Sequence, residues 1–206
     1  MTKRVLAMGC VLAATLLHAI PVEAQDSKDV DQFDVLLGGG LVVSPGYGDF
    51  IDDAYTLYNE DAGLGWLDLF AGVEYHPDPL FGIIGGFDVF VNSVDVNGGP
   101  LDETYSNLIL LPSIYGQLYL DEEGKFYINA GINLPVPTTG SDYFDYENNG
   151  VGVGVNLGAQ LAEVFRIEAG YVLVPVTVKP TSRNVTSFKE DDYNFGGVQV
   201  RAMLSF

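Results

Sequence analysis

Cysteine, histidine and positive charge are all scarce here: one Cys, two His and nine Lys or Arg in 206 residues. The cysteine, Cys10, lies in an amino-terminal stretch built like a cleaved export signal. Lys3 and Arg4 begin it, Val5 to Ile20 is apolar, and Val22-Glu23-Ala24 offers small residues for cleavage near Gln25. About five apolar residues precede Cys10, short of the roughly 7–15 of an export core, so it reads as an ordinary leader residue. The stretch is also too short to serve as a membrane anchor. Without the leader no cysteine remains, which excludes disulfides and thiolate chemistry. Seven basic residues then face 27 acidic ones, a net charge of −20. Nucleic-acid binders carry basic patches, so nucleic acid is excluded as a partner.

Helical periodicity is missing too. Outside the leader, eight segments alternate apolar and polar residues, the period of a strand with one greasy face. They are Phe33–Val43, Leu64–Tyr75, Leu80–Val91, Asn107–Leu120, Lys125–Val136, Gly150–Leu161, Phe165–Pro175 and Tyr193–Phe206. Short connections (His76-Pro77-Asp78-Pro79, Asp121-Glu122-Glu123-Gly124, Ala162-Glu163-Val164) alternate with long ones at Ser44–Gly63, Asn92–Ser106, Pro137–Asn149 and Val176–Asp192. Tight turns at one end and long loops at the other predict an all-β fold: an eight-stranded antiparallel transmembrane β-barrel in up-and-down order. The division expected is a signal peptide over 1–24, a short segment over 25–32 and the barrel over 33–206, with no further domain.

Charge and aromatic placement fit that reading. Asp34, Asp68, Glu74, Asp88, Arg166, Glu168 and Arg201 all fall on the inward face of their strands. A charge on the lipid face costs on the order of 2–4 kcal/mol at mid-bilayer, which keeps that face clear. Phe33, Tyr75, Phe81, Phe126, Phe165 and Phe206 all fall outward at the short-turn end, as an interfacial girdle does. Inward glycines such as Gly131, Gly154 and Gly158 accompany large inward rings at Tyr115, Tyr119 and Tyr127. Glycine opposite a ring lets a narrow barrel bend and still fill. Pro112 falls mid-strand and calls for a bulge or a locally broken pairing.

The final strand, Tyr193 to Phe206, places Val198, Val200, Ala202, Leu204 and Phe206 on one face and stops on the aromatic. With the export signal, the strand count and the loop asymmetry, it resembles the small eight-stranded outer-membrane barrels of the OmpA transmembrane domain, OmpX and OmpW kind. The resemblance covers Phe33 to Phe206. It implies an outer-membrane location in a Gram-negative envelope, contact with outer-membrane lipid, and a monomer. It further implies insertion by the barrel-assembly machinery, aided by periplasmic chaperones, with Phe206 as the assembly signal. Such barrels serve as anchors, adhesins, hydrophobic-solute conduits or lipid-modifying enzymes.

Four candidate features follow. A lumen ion cluster is expected from Asp34, Arg166, Glu168 and Arg201, because buried charges need partners. Asp68 and Asp88 are two inward carboxylates that suit acid–base work or, more simply, hydrogen bonding in the lumen. The interior grades from apolar residues near the long loops (Val42, Ile84, Phe90, Ile109, Leu111, Val172, Val174) to polar ones near the short turns. Eleven acids and no base occupy the first three long loops. Among them Asp49, Asp52 and Asp53 are metal candidates, for loosely bound calcium or magnesium. No cofactor is expected otherwise. His76, the one histidine outside the leader, is assigned to a turn without a catalytic partner. The expected function is a non-enzymatic outer-membrane protein, structural or surface-interacting, without a large open pore. A conduit or binder for small hydrophobic molecules, OmpW-like, is the alternative, and a lipid-modifying enzyme the second.

Overall fold

The computed structural model describes residues 32–55, 59–62, 65–97, 103–121, 124–181 and 188–206. The expected leader, residues 25–31 and Arg183 lie outside them. The elements are β1 (Gln32–Val43), α1 (Pro45–Tyr55), β2 (Asn59–Ala62), β3 (Gly65–Asp78), β4 (Phe81–Asn97), β5 (Glu103–Tyr119), β6 (Phe126–Asn133), β7 (Val136–Thr139), β8 (Phe144–Asn148), β9 (Gly152–Ala162), β10 (Phe165–Val172), β11 (Pro175–Pro180), β12 (Asp191–Asn194) and β13 (Gly197–Ser205). Around the barrel the antiparallel order is β1-β3-β4-β5-β6-β9-β10-β13, and β13 pairs back onto β1. β7 continues the β6 wall against β5. Pairing of β13 with β1 closes the wall, so its strands satisfy their backbone groups against one another.

Alternation is realised on the wall. β13 switches between buried and exposed at every residue from Gly197 to Ser205. Asp68, Glu74, Asp88, Arg166, Glu168 and Arg201 are buried inside, while Leu41, Leu157 and Leu161 are more than 60% exposed outside. The girdle is present as expected. Phe33 and Tyr75 are cross-strand partners whose rings stack at 4.9 Å. Phe206 exchanges two backbone hydrogen bonds with Val35, at 2.9 and 3.0 Å, so the ladder runs to the last residue. Inside, Tyr127 pairs with Gly158 across β6 and β9, where a Cβ on the glycine would overlap the ring. A Cβ on Gly154 would lie 2.8 Å from the Tyr115 hydroxyl.

Several expectations are corrected at the long-loop end. Asn92–Ser106 is mostly strand: β4 and β5 stay paired as far as Val96 opposite Glu103. The third and fourth long loops supply β8, β11 and β12, a three-stranded sheet beyond the barrel. The first long loop folds into α1, although no helix was expected. Tyr47, Phe50, Ile51 and Ala54 follow one another at helical spacing and form its buried face. Ser44 caps it, its Oγ accepting from the Tyr47 N–H at 3.2 Å, and Pro45 occupies the first helical position.

Pro112 sits at a local break in pairing, one of the two accommodations expected. β5 pairs without interruption to β4, with Phe87 opposite Pro112. On its other side the pairing to β6 ends at Ser113–Asn133, and that to β7 resumes at Leu110–Val136. Leu134 N–H still donates to the Pro112 carbonyl at 3.0 Å. The missing proline N–H therefore falls where the neighbouring strand is already interrupted, the position such a residue tolerates.

Candidate functional site

The lumen is built in three tiers. At the short-turn end, the ladder sets Asp34 of β1 directly opposite Glu74 of β3. Like charges so placed repel and need a cation. Arg166 supplies it from β10, across the lumen, with NH1 2.5 Å from Glu74 Oε2 and NH2 3.1 Å from Asp34 Oδ2. Arg166 also donates to Ser205 Oγ at 3.1 Å. The other Glu74 oxygen accepts from Gln117 Nε2 at 2.6 Å and Tyr119 Oη at 3.0 Å.

His76 completes this tier, which corrects its assignment to a turn. β3 continues to Asp78 despite Pro77, and a two-residue shift separates Glu74 from His76, so both point inward. His76 Nε2 lies 3.4 Å from Asp34 Oδ2 and 3.5 Å from Glu74 Oε2. Its ring stacks on Tyr119 at 5.8 Å.

The middle tier centres on Arg201. Glu168 and Arg201 are cross-strand partners, as anticipated, and Arg201 Nε donates to Glu168 Oε2 at 2.7 Å. Its NH1 reaches Asp88 Oδ1 on β4 at 2.8 Å, and its guanidinium lies 4.3 Å over the Phe70 ring. Glu168 also accepts from Asn129 at 2.8 Å, and Asn129 from Asn156 at 2.9 Å. Asp68 accepts from Gln199 Nε2 at 2.8 Å.

The four residues expected to form one cluster thus divide between two tiers, Asp34 with Arg166 and Glu168 with Arg201. Glu74, His76 and Asp88 join them. Inward parity had marked Glu74 and Asp88, but strand period carries no information on which residues meet across the lumen.

The top tier is apolar, as the graded interior predicted, except that Ile84 lies below it, opposite Glu74 across β3 and β4. Val42, Phe90, Ile109, Leu111, Val172 and Val174 are buried there with Trp66 and Phe195, beneath the apolar face of α1. Phe50 of α1 is its hub, with ring centroids of Phe144, Phe195 and Phe188 at 5.4, 5.7 and 6.0 Å. Asn107 Nδ2 donates to the Tyr47 hydroxyl at 2.9 Å and ties the helix to the wall. The Trp66 indole N–H is buried in this tier with no hydrogen-bond partner among the described residues.

Asp49, Asp52 and Asp53 lie on the solvent face of α1. Asp53 accepts from Tyr193 Oη at 2.9 Å. Burial first, and then that bond, hold the Tyr193 phenol above its ordinary range. The three acids are not drawn together as ligands. Among the described residues, the one set of three metal-ligating side chains within 4.8 Å of one another is Asp34, Glu74 and His76. Side chains of the loop acids Glu60, Asp61, Asp95, Asp102 and Glu103 lie outside the described residues. Lys179 of β11 offsets part of the loop charge, bonding Glu147 at 2.7 Å.

No family model matches the chain, and no curated protein matches it by sequence. Among solved structures it is similar to the outer membrane protein OprG from Pseudomonas aeruginosa. That match has a TM-score of 0.50 and 14% identity, over 84% of this chain and 95% of that one. A second, the outer membrane protein AlkL in DMPC lipid bilayers, has a TM-score of 0.42 and 13% identity, over 91% and 92%. The likeness to OprG is one of fold, that of a small outer-membrane β-barrel.

Proposed function

We propose that the protein is a non-enzymatic barrel of the outer membrane, closed to bulk ion flow, with a structural or surface-interacting role. One observation carries the closure: two tiers of buried ion pairs, around Arg166 and Arg201, span the lumen wall to wall. An eight-stranded wall encloses only enough space for side chains, and here they are ion-paired and ringed with tyrosine. The membrane location rests on the unbroken apolar outside, the aromatic girdle and the closed ladder, since exposed apolar area of this extent is unfavourable in water. The non-enzymatic reading rests on His76, which is engaged by Asp34 and Glu74 at the short-turn mouth rather than set beside a nucleophile. Insertion by the barrel-assembly machinery, with periplasmic chaperones, belongs to this proposal, as does the monomer. Proteoliposomes containing the pure protein are expected to show no osmotic swelling in small sugars or salts; swelling at porin rates would reject the reading.

A second reading is favoured by the top tier, where an apolar, aromatic interior beneath α1 contains an indole N–H with no hydrogen-bond partner among the described residues. That composition suits a small hydrophobic guest carrying one hydrogen-bond acceptor. Trp66 is the sole tryptophan, so its emission reports occupancy directly. Titration with small apolar ketones or esters is expected to quench or shift it saturably. Emission that stays unchanged would leave the closed, guest-free barrel.

A further inference from the structure

We propose that Asp34, Glu74 and His76 form a binding site for a divalent transition-metal ion at the short-turn mouth, with solvent at the fourth position. The ligand atoms are already placed as such an ion requires. Metal–ligand bonds of about 2.0–2.2 Å at tetrahedral angles set neighbouring ligand atoms roughly 3.3–3.5 Å apart. His76 Nε2 lies 3.4 Å from Asp34 Oδ2 and 3.5 Å from Glu74 Oε2. One imidazole and two carboxylates suit zinc and its neighbours, not calcium or magnesium, which take oxygen throughout.

The ladder holds this set rigidly. Asp34 and Glu74 are paired across β1 and β3, and His76 follows Glu74 by two residues on the same face. Outer partners orient the ligands. Gln117 and Tyr119 hold the far oxygen of Glu74, Ser205 Oγ lies 3.3 Å from Asp34 Oδ2, and Tyr119 stacks on the imidazole. Such partners are what tune and fix a metal ligand. Entry is open: the side chains of His76 and Asp34 are 21% and 29% exposed, while Glu74 is fully buried at the floor.

Charge balance points the same way. Arg166 contacts both ligand oxygens and supplies one positive charge to two facing carboxylates. The remaining negative charge is met by His76 Nε2, which faces both carboxylates and can meet them with a proton or with a metal ion. A carboxylate oxygen has lone pairs for both an N–H donor and a metal, so Arg166 remains in place as an outer partner when the ion binds. The acidic loops have no such nitrogen.

Zn2+ binding to the folded, detergent-solubilised chain tests this, with three proteins compared by calorimetry after removal of adventitious metal. Wild type is expected to take up one equivalent. The loop variant Asp49→Asn/Asp52→Asn/Asp53→Asn is expected to match it, and His76→Ala to bind at least about tenfold more weakly. Equal affinity in His76→Ala, or loss of binding in the loop variant, would overturn the proposal. If His76→Ala does not fold, Co2+ added to wild type decides. Intense tetrahedral visible bands are expected, and weak octahedral bands or none would refute the site.

Discussion

Arg201 on β13 donates to Asp88 on β4 at 2.8 Å, a contact between opposite walls of the barrel made by residues 113 positions apart. Two strands that share no ladder are thereby fastened through the lumen. Breaking a buried pair from one side leaves the other charge unpaired and costs about 3–5 kcal/mol. Arg201→Ala is therefore expected to lower the urea midpoint of the folded protein and to abolish the mobility difference between unboiled and boiled samples in cold SDS. Arg201→Met combined with Glu168→Gln and Asp88→Asn removes the charges together and is expected to recover much of the loss. A triple variant no more stable than Arg201→Ala would contradict this account of the tier.

The helix over the mouth depends on its cap and on Phe50. Ser44→Ala removes the acceptor for the Tyr47 N–H and should cost about 1 kcal/mol. Phe50→Ala empties the centre of the aromatic cluster and should cost about 3–5 kcal/mol locally. Both variants are expected to redden Trp66 emission, Phe50→Ala by far the more, while far-ultraviolet circular dichroism keeps its strand signature. Unchanged emission in Phe50→Ala would mean that α1 does not seal Trp66 from water.

Gly158 yields its side-chain space to Tyr127. Gly158→Ala should reduce the yield of folded barrel sharply, because the added methyl meets the ring beside a fixed backbone. Tyr127→Leu in the same chain is expected to restore folding. Equal yields for wild type and Gly158→Ala would show that the wall relaxes more easily than its packing implies.

Phe206 closes the ladder with Val35 and places its ring in the girdle. Deleting it is expected to lower the amount of folded protein recovered from the outer-membrane fraction, with degradation of the remainder. Refolding of the same variant into detergent should be affected far less, since only two backbone hydrogen bonds are lost there. Full recovery in cells would count against Phe206 as an assembly signal.

Much of this architecture was legible in period-two alternation. Each predicted strand has its counterpart in the wall, and every charge placed inward by parity is inward. What alternation lacks is the stagger of the closed sheet, which decides that Arg201 meets Asp88 and Arg166 meets Glu74. His76 was misread because Pro77 and Pro79 look like turn residues. The strand instead carries on through Pro77, and Asp78 pairs with Phe81 across a two-residue turn. α1 left a readable trace in Tyr47, Phe50, Ile51 and Ala54. Two glycines, three acids and a length of 11 residues obscured it. A helix that short is marginal alone and forms where its apolar face is covered.

Closure of the lumen by the two arginine tiers is tested most directly by single-channel recording in planar bilayers. Wild-type monomer is expected to give no stable steps across the working voltage range. Simultaneous Arg166→Ala and Arg201→Ala substitution, in whatever fraction folds, should give small flickering events, because the lumen then loses both cross-wall fastenings. Reproducible porin-sized steps from pure wild-type protein would contradict the account.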